Sequence, residues 1–300
     1  MDMTQNKCCR HGASLRRRRR RRRKILRSII FSCSIIAVAV FVAVGSSMIR
    51  SGDGRTNRYD VEAGNNTYDN AVIENSKISE KNKIQNNQSM LDDIMNSTQY
   101  PKQLKDLALK NEEALEFVYD YPAEHVKEHT IDLTEEASMD SVPLFVQWDK
   151  RWGYEKYSGN FFAASGCGPT TLSMVVVYLT HNREASPIAV AKYSKEAGYS
   201  VDGSGSSWTL ISEGCMHYGV KAKTVALDES RMKAELDAGH PIVINVGPGD
   251  FTDTGHFMVI TGYDDEGFSI NDPNSIEKSG KRWLFKNISS QIRAVWSMYV

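Results

Sequence analysis

A cysteine flanked by two glycines lies where a loop turns into an apolar helix, in the segment Ser165-Gly166-Cys167-Gly168-Pro169-Thr170-Thr171-Leu172. The glycines permit a tight turn and the close approach of a substrate carbonyl. Pro169 suits the first turn of a helix, because the amide hydrogen that proline lacks would be unpaired there anyway. Cys167 would then face the positive end of a helix dipole, which lowers the pKa of a thiol. The segment therefore indicates a thiolate nucleophile, and its alternative is a small buried residue at the start of a core helix.

A nucleophilic thiol needs a base, and His256 lies where the sequence supplies both a base and a partner to orient it. Residues 255–263 are typical of a β-strand, 264–267 of a turn, and 268–273 of a second strand. An antiparallel hairpin would bring His256 within hydrogen-bonding reach of Asp272. The other histidines have no such partner in the sequence and suit surface or helix-end positions; they are His11, His125, His129, His181, His217 and His240.

Four ordered segments resemble a known family. They are Gln147-Trp148-Asp149-Lys150-Arg151-Trp152-Gly153, Ser165-Gly166-Cys167-Gly168-Pro169-Thr170, Gly255-His256-Phe257 with Gly262-Tyr263, and Asn271-Asp272-Pro273. Over residues 142–300 they resemble the peptidase C39-like family of papain-fold cysteine peptidases. The resemblance implies an α+β papain-like fold and four site residues: Cys167 as nucleophile, His256 as general base and acid, Asp272 as orienting partner, and Gln147 as side-chain donor in the oxyanion hole. For Gln147 the alternative is a polar residue at a strand end.

The reaction implied by this resemblance is hydrolysis of a peptide or amide bond in two acyl-transfer steps. Transfer of the acyl group to an amine, as in transglutaminase-like enzymes, needs the same residues and stays open. A catalytically silent module that binds peptide or cell wall is the other functional class, although such a module has no physical need for all four residues. A peptide or protein is the expected partner, and peptidoglycan stem peptides are among the candidates.

The amino terminus predicts where the chain resides. Arg16–Arg23 is an unbroken run of arginines in a basic tail, residues 1–28, and residues 29–49 then carry no charge. As a helix this span would be about 30 Å long, enough to cross a hydrocarbon core. Because basic residues stay on the cytoplasmic side, we expect a single-pass signal-anchor with the catalytic domain outside the cell. A cleaved secretory signal ending near Ala43-Val44-Gly45 is the alternative.

The net charge of the exported part bears on its class of partner, and its cysteines bear on disulfides and metal sites. Residues 51–300 hold 24 basic and 36 acidic residues, so the net charge of twelve negative units argues against nucleic acid. Cys8, Cys9 and Cys33 precede the exported part, leaving Cys167 and Cys215 in it. A disulfide between these two would abolish activity and is not expected. The sequence has no CxxC motif, and we expect neither a metal nor a cofactor.

The exported part divides by composition. Residues 50–99 are polar and predict a disordered stalk. Residues 100–141 predict a helical pre-element, with apolar residues at helical spacing up to Tyr121-Pro122, which packs on the catalytic domain or serves as an inhibitory propeptide.

Within the catalytic domain, residues 142–300, helices precede strands, which is typical of an α+β fold. Helices are predicted after Cys167 and over residues 188–197, 207–217 and 229–238, and strands over residues 220–226, 241–246, 282–286 and 295–300, besides the His256 hairpin. Glycine-rich loops at 202–207 and 247–255 are candidates for the border of a cleft.

Overall fold

The computed structural model describes residues 66–300, with side chains from residue 79 onward. The predicted basic tail and the predicted span at residues 29–49 lie outside the described residues and stay predictions. No helix in the described part of the chain has the length and apolar character needed to cross a bilayer. Residues Ala71–Val300 form one compact unit.

Helices and strands of the described residues are labelled in chain order. The α-helices are α1 (Asn66–Asn96), α2 (Lys102–Lys110), α3 (Leu115–Tyr119), α4 (Tyr121–Glu124), α5 (Thr134–Ser138), α6 (Phe162–Ser165), α7 (Cys167–Thr180), α8 (Pro187–Glu196), α9 (Thr209–Ser212), α10 (Glu229–Asp237), α11 (Ile276–Ser279) and α12 (Phe285–Ile288). The strands are β1 (Lys156–Tyr157), β2 (Asn160–Phe161), β3 (Ser200–Val201), β4 (Gly205–Ser206), β5 (Lys221–Thr224), β6 (Ile242–Val246), β7 (His256–Asp264), β8 (Gly267–Asn271), β9 (Arg282–Trp283) and β10 (Ile292–Tyr299). Short 3₁₀ helices span Glu112–Ala114, Gly214–Tyr218 and Ser289–Gln291.

One antiparallel sheet organises the carboxyl-terminal half, with strand order β5-β10-β6-β7-β8-β9. Alternate side chains of a strand point to opposite faces, and in β7 Phe257 and Val259 join one apolar core while Met258 and Ile260 join another. The first core holds the buried side of α7, so the cysteine helix packs on this sheet. Most helices precede this antiparallel sheet, with only α10, α11 and α12 between its strands, which agrees with an α+β organisation.

Two element predictions within the domain are wrong. The predicted helix at 207–217 is divided into α9 and the 3₁₀ helix Gly214–Tyr218. Gly214 disfavours a continuous helix, and it packs so tightly on Tyr199 that a Cβ there would lie 3.0 Å from the Tyr199 ring. The predicted strand at 282–286 ends after Trp283, because the chain turns into α12.

The disordered stalk predicted for residues 50–99 is also wrong over 66–96, where the structure has helix α1. Ile94 is fully buried, and it packs with Met90 and Leu91 in the same apolar cluster as Leu104 and Leu107 of α2. Three apolar side chains near its end thus anchor a helix whose other side chains, from residue 79, are mostly exposed. The average composition of residues 50–99 does not reveal a cluster of only three apolar residues.

The pre-element is a string of short helices rather than one helix running to Tyr121. The break is at Asn111, whose backbone is extended and whose side chain accepts a hydrogen bond from the Glu113 amide at 3.0 Å. Asparagine competes with helix hydrogen bonds in this way. The short helices pack in one cluster with Phe161 and Ala163, just before the cysteine helix.

Candidate active site

Cys167 begins helix α7, as the sequence predicts for a residue at a loop-to-helix junction. No side chain caps this end of the helix. The backbone amides of Gly168 and Phe257 hydrogen-bond the sulfur, which is partly buried. An anion at this position is stabilised by the uncapped amides and by the helix dipole.

Steric contacts explain why residue 168 is a glycine. A Cβ at this position would lie 2.5 Å from Ser206 Oγ, in the hairpin formed by β3 and β4. The Ser206 hydroxyl is itself held at 2.6 Å from the Tyr157 hydroxyl. The hairpin therefore presses directly on the first turn of the cysteine helix, and this contact needs glycine.

His256 is the first residue of β7 and is paired with Val246 of β6. Its Nε2 lies 2.6 Å from Asp272 Oδ1, and its side chain also hydrogen-bonds the Cys167 thiol. Because Asp272 occupies Nε2, the Nδ1 atom is left for the sulfur. His256 is 6% exposed, so water is nearly excluded from this pair.

Asp272 lies just past the end of β8, in a turn that begins the path to α11. Its side chain is completely buried. Oδ1 also accepts from the Asn274 amide at 2.8 Å, and the Asp272 amide donates to Ser279 Oγ at 2.9 Å. Oδ2 has no hydrogen-bond partner in the described part of the chain. The carboxylate is thus fixed by its backbone and presents one oxygen to His256.

The pKa values of Cys167 and His256 shift in opposite directions. Burial alone would raise the pKa of the Cys167 thiol, but the hydrogen bond and the positive charge of His256 outweigh it and lower that pKa. Burial alone would lower the pKa of His256, but the charge of Asp272 and the hydrogen bonds to Asp272 and Cys167 raise it to about 10. Both shifts favour a thiolate beside an imidazolium over a neutral thiol beside a neutral imidazole.

Gln147 lies in the same cleft, although it is twenty residues before Cys167 in the sequence. Its Nε2 donates one hydrogen to the Ala163 carbonyl at 2.7 Å, and its backbone amide donates to the Pro273 carbonyl at 2.7 Å. The side-chain amide carries two hydrogens, so a second one remains for an oxyanion. The structure thus brings Gln147, Cys167 and His256 to one cleft, with Asp272 buried against His256.

Two cavities meet at Cys167 and together form this cleft. The smaller, about 520 Å³, contains Gln147 and His256, and helix α2 forms part of its wall. The larger, about 670 Å³, contains Trp208 and Arg293. The glycine-rich loops at 202–207 and 247–255 border the cleft, as their composition suggested.

Two side chains of the pre-element, which sequence reasoning missed, hold the turn that follows Asp272. Asn111 Nδ2 donates to the Asn274 carbonyl at 2.9 Å. The Glu113 carboxylate accepts from the Ser275 hydroxyl and from the Ile276 amide, the latter at 2.7 Å. The partners are more than 160 residues apart, and no local pattern marks such pairs.

Cys215 contrasts with Cys167. It is fully buried in the core, and burial raises its pKa to about 11. Both thiols are free, so they form no disulfide with each other. Within residues 66–300, no group of three or more His, Cys, Asp or Glu side chains is arranged to hold a metal ion.

Comparisons with known proteins agree with the resemblance seen in the motifs. A family model described as the Peptidase_C39 like family matches residues 139–300. One similar solved structure is the peptidase domain of Streptococcus ComA, a bi-functional ABC transporter involved in a quorum sensing pathway; it is 19% identical, with a TM-score of 0.37, over 45% of this chain and 90% of that one. Another, from Bacillus anthracis and described as a C39-like peptidase, is 17% identical, with a TM-score of 0.33, over 57% of this chain and 98% of that one. No curated protein matches the chain. With more than half of its length matched by the family model, the chain belongs to the Peptidase_C39 like family.

Proposed function

We propose that this chain is a papain-like thiol peptidase or amidase in which Cys167, His256 and Asp272 form a catalytic triad. The observation that carries the proposal is the buried His256 imidazole, hydrogen-bonded to the Cys167 thiol and, at 2.6 Å, to Asp272 Oδ1. A nucleophile hydrogen-bonded to a base, which is itself held by a third group, is the arrangement that nucleophilic catalysis needs. Family membership supports a peptide or protein as the substrate.

In the first half-reaction, the Cys167 thiolate attacks the carbonyl carbon of the scissile bond. The resulting oxyanion accepts hydrogen bonds from the second Gln147 amide hydrogen and from the Cys167 backbone amide. His256 donates its Nδ1 proton to the leaving nitrogen, the C–N bond breaks, and the amine departs. The product is a thioester on Cys167, with His256 neutral.

In the second half-reaction, water attacks the thioester carbonyl and gives its proton to His256 Nδ1. The C–S bond breaks, which releases a carboxylic acid and restores the thiolate and the imidazolium. Asp272 holds the imidazole ring through the hydrogen bond to Nε2 and stabilises the imidazolium when it is present. An amine in place of water would yield the acyl-transfer product, so the identity of the product separates hydrolysis from transfer.

The pH dependence of Cys167 alkylation tests the proposal. In the full chain, iodoacetamide is expected to label Cys167 rapidly at pH values well below the ordinary thiol pKa of about 8.5, because His256 lowers the pKa of Cys167. In His256→Ala the pKa-lowering interactions with the imidazole are lost while burial still raises the pKa, so labelling is expected to need higher pH. The labelling rate is measured by mass spectrometry of the peptide that contains Cys167, from about pH 4 to about pH 10. This range spans the ordinary pKa values of histidine and cysteine.

Cys215 is the internal control for that experiment, because it is buried and its pKa is raised to about 11. It is expected to stay unlabelled in both proteins while they are folded. A Cys167 labelling curve that rises only near the ordinary thiol pKa, and that is the same in His256→Ala, would contradict the proposal and favour a peptide-binding module.

Gln147→Ala is expected to lower kcat by about 10²- to 10³-fold, or about 2.7–4 kcal/mol, because one donor to the oxyanion is lost. The measurement is turnover of a peptide substrate obtained from a library digest by the wild-type chain. Iodoacetamide labelling of Cys167 is the control, since this alkylation forms no oxyanion and its rate is expected to stay unchanged. Undiminished turnover would remove Gln147 from the site.

A further inference from the structure

Arg293 is the charged residue of the larger cavity. Among the described residues that line this cavity it is accompanied by glycines, serines and a few larger neutral side chains such as Trp208 and Asn245, and by no carboxylate. An isolated cation in a cavity next to a reactive thiol is suited to a negatively charged group of a ligand.

A β-bulge aims Arg293 into the cavity. Ile292 of β10 pairs with Val246, and Ala294 pairs with Asn245, so Arg293 is the extra residue where the register shifts. Bulges commonly redirect a side chain next to an active site. The redirected side chain passes over Gly247, where a Cβ would lie 2.8 Å from Arg293 Nε and 3.0 Å from Nη2. Both the bulge and the glycine are therefore needed for this position of the guanidinium.

The guanidinium keeps most of its donors free. Nη1 donates to the Ser290 carbonyl at 2.8 Å, and a guanidinium has five N–H donors in all. No carboxylate of residues 79–300 forms a salt bridge with it, whereas Arg151 and Arg282 each pair with one or more. The side chain is also exposed, so a bound substrate can reach it.

The larger cavity lies on the acyl side of the cleft, given the proposed function. The leaving amine must be within reach of the group that protonates it, and His256 lines the smaller cavity and not the larger one. The chain that leaves therefore occupies the smaller cavity. The part of the substrate that becomes bound to Cys167 occupies the larger cavity, with Arg293.

From these observations we infer that Arg293 determines substrate specificity by pairing with a carboxylate of an acidic residue, aspartate or glutamate, on the amino-terminal side of the scissile bond. The inference deepens the proposed function and rests on it. Arg293 selects the substrate and takes no part in bond making or breaking.

Peptidyl fluoromethyl ketones test this inference, because they occupy the acyl side and alkylate the Cys167 sulfur with loss of fluoride. Each probe carries glutamate, glutamine or lysine at one of the residues upstream of the reactive ketone. The second-order inactivation rate constant is measured for the full chain as wild type, Arg293→Gln, Arg293→Glu and Gly247→Ala. Gly247→Ala keeps the charge but displaces the guanidinium.

At one upstream position the wild type is expected to react about two- to fivefold faster with the glutamate probe than with the lysine probe, as for an exposed ion pair. This preference is expected to shrink as salt is raised. Arg293→Gln is expected to abolish it, Arg293→Glu to reverse it, and Gly247→Ala to reduce it. Labelling by uncharged iodoacetamide is expected to be equal in all four proteins.

A charge preference that is absent, or that is the same in Arg293→Gln as in the wild type, would overturn the inference. If iodoacetamide labelling of Cys167 were still rapid and dependent on His256, the proposed function would stand and only the role of Arg293 would fail. If that labelling were slow and independent of His256, the proposed function would fail, and the inference with it.

Discussion

Cys167→Ser is expected to abolish peptide hydrolysis, with a loss in kcat of about 10⁴-fold or more, on the scale seen when a nucleophile is removed from a catalytic triad. His256 can hold a thiolate beside its imidazolium, because a thiol ionises near neutral pH when its pKa is lowered. A serine hydroxyl has no such ionised state under these conditions. The substitution changes one atom at a partly buried position, so the thermal unfolding midpoint is expected to change little.

Cys215→Ser is the matched control for this prediction. Cys215 is fully buried among apolar side chains, so a hydroxyl there is expected to lower stability while the active protein that remains keeps its kcat. Peptide turnover and thermal unfolding are measured for both variants. Retention of wild-type turnover in Cys167→Ser would contradict the assignment of the nucleophile.

Asp272→Ala is expected to lower kcat by about 10³- to 10⁴-fold, comparable to the loss of the orienting carboxylate in a serine triad. Burial would then lower the pKa of His256 without the opposing charge of Asp272. With the imidazole neutral, the lowered pKa of Cys167 is lost as well. The pH at which iodoacetamide labels Cys167 is therefore expected to rise, and this shift is measured together with kcat.

Asp272→Asn separates catalytic from structural effects, because Oδ1 also accepts a hydrogen bond from the Asn274 amide. An asparagine oxygen can still accept from that amide and from His256, so a smaller loss in kcat is expected than for alanine. A labelling curve for Asp272→Ala that coincides with the wild-type curve would show that His256 does not depend on this carboxylate.

The parts of the site that the sequence predicted are close together along the chain. His256 and Asp272 are sixteen residues apart, and a single turn between two alternating strands is enough to bring them together. The glycines and Pro169 mark the start of the cysteine helix in the same local way. Gln147 could be assigned only through the resemblance to a family, because no local pattern places it near Cys167.

What the sequence could not predict depends on contacts between distant segments. Ile94 packs in an apolar cluster and helps to hold helix α1, in a segment that its composition predicts to be disordered. One buried residue hardly changes the composition of such a polar segment. The position of Arg293 depends on a bulge in β10 and on Gly247, which directly follows β6. Neither residue shows these roles in the sequence around it.

Asn111 donates a hydrogen bond to the turn that follows Asp272, and Glu113 accepts hydrogen bonds from the same turn. The family match starts at residue 139, after both of these residues. A protein cut at that boundary would retain Cys167, His256 and Asp272 but lose two side chains that fix the acidic member in place. The family match and the contacts that hold the turn after Asp272 therefore begin at different points along this chain, and residues 139–300 alone would lack two side chains that support the candidate site.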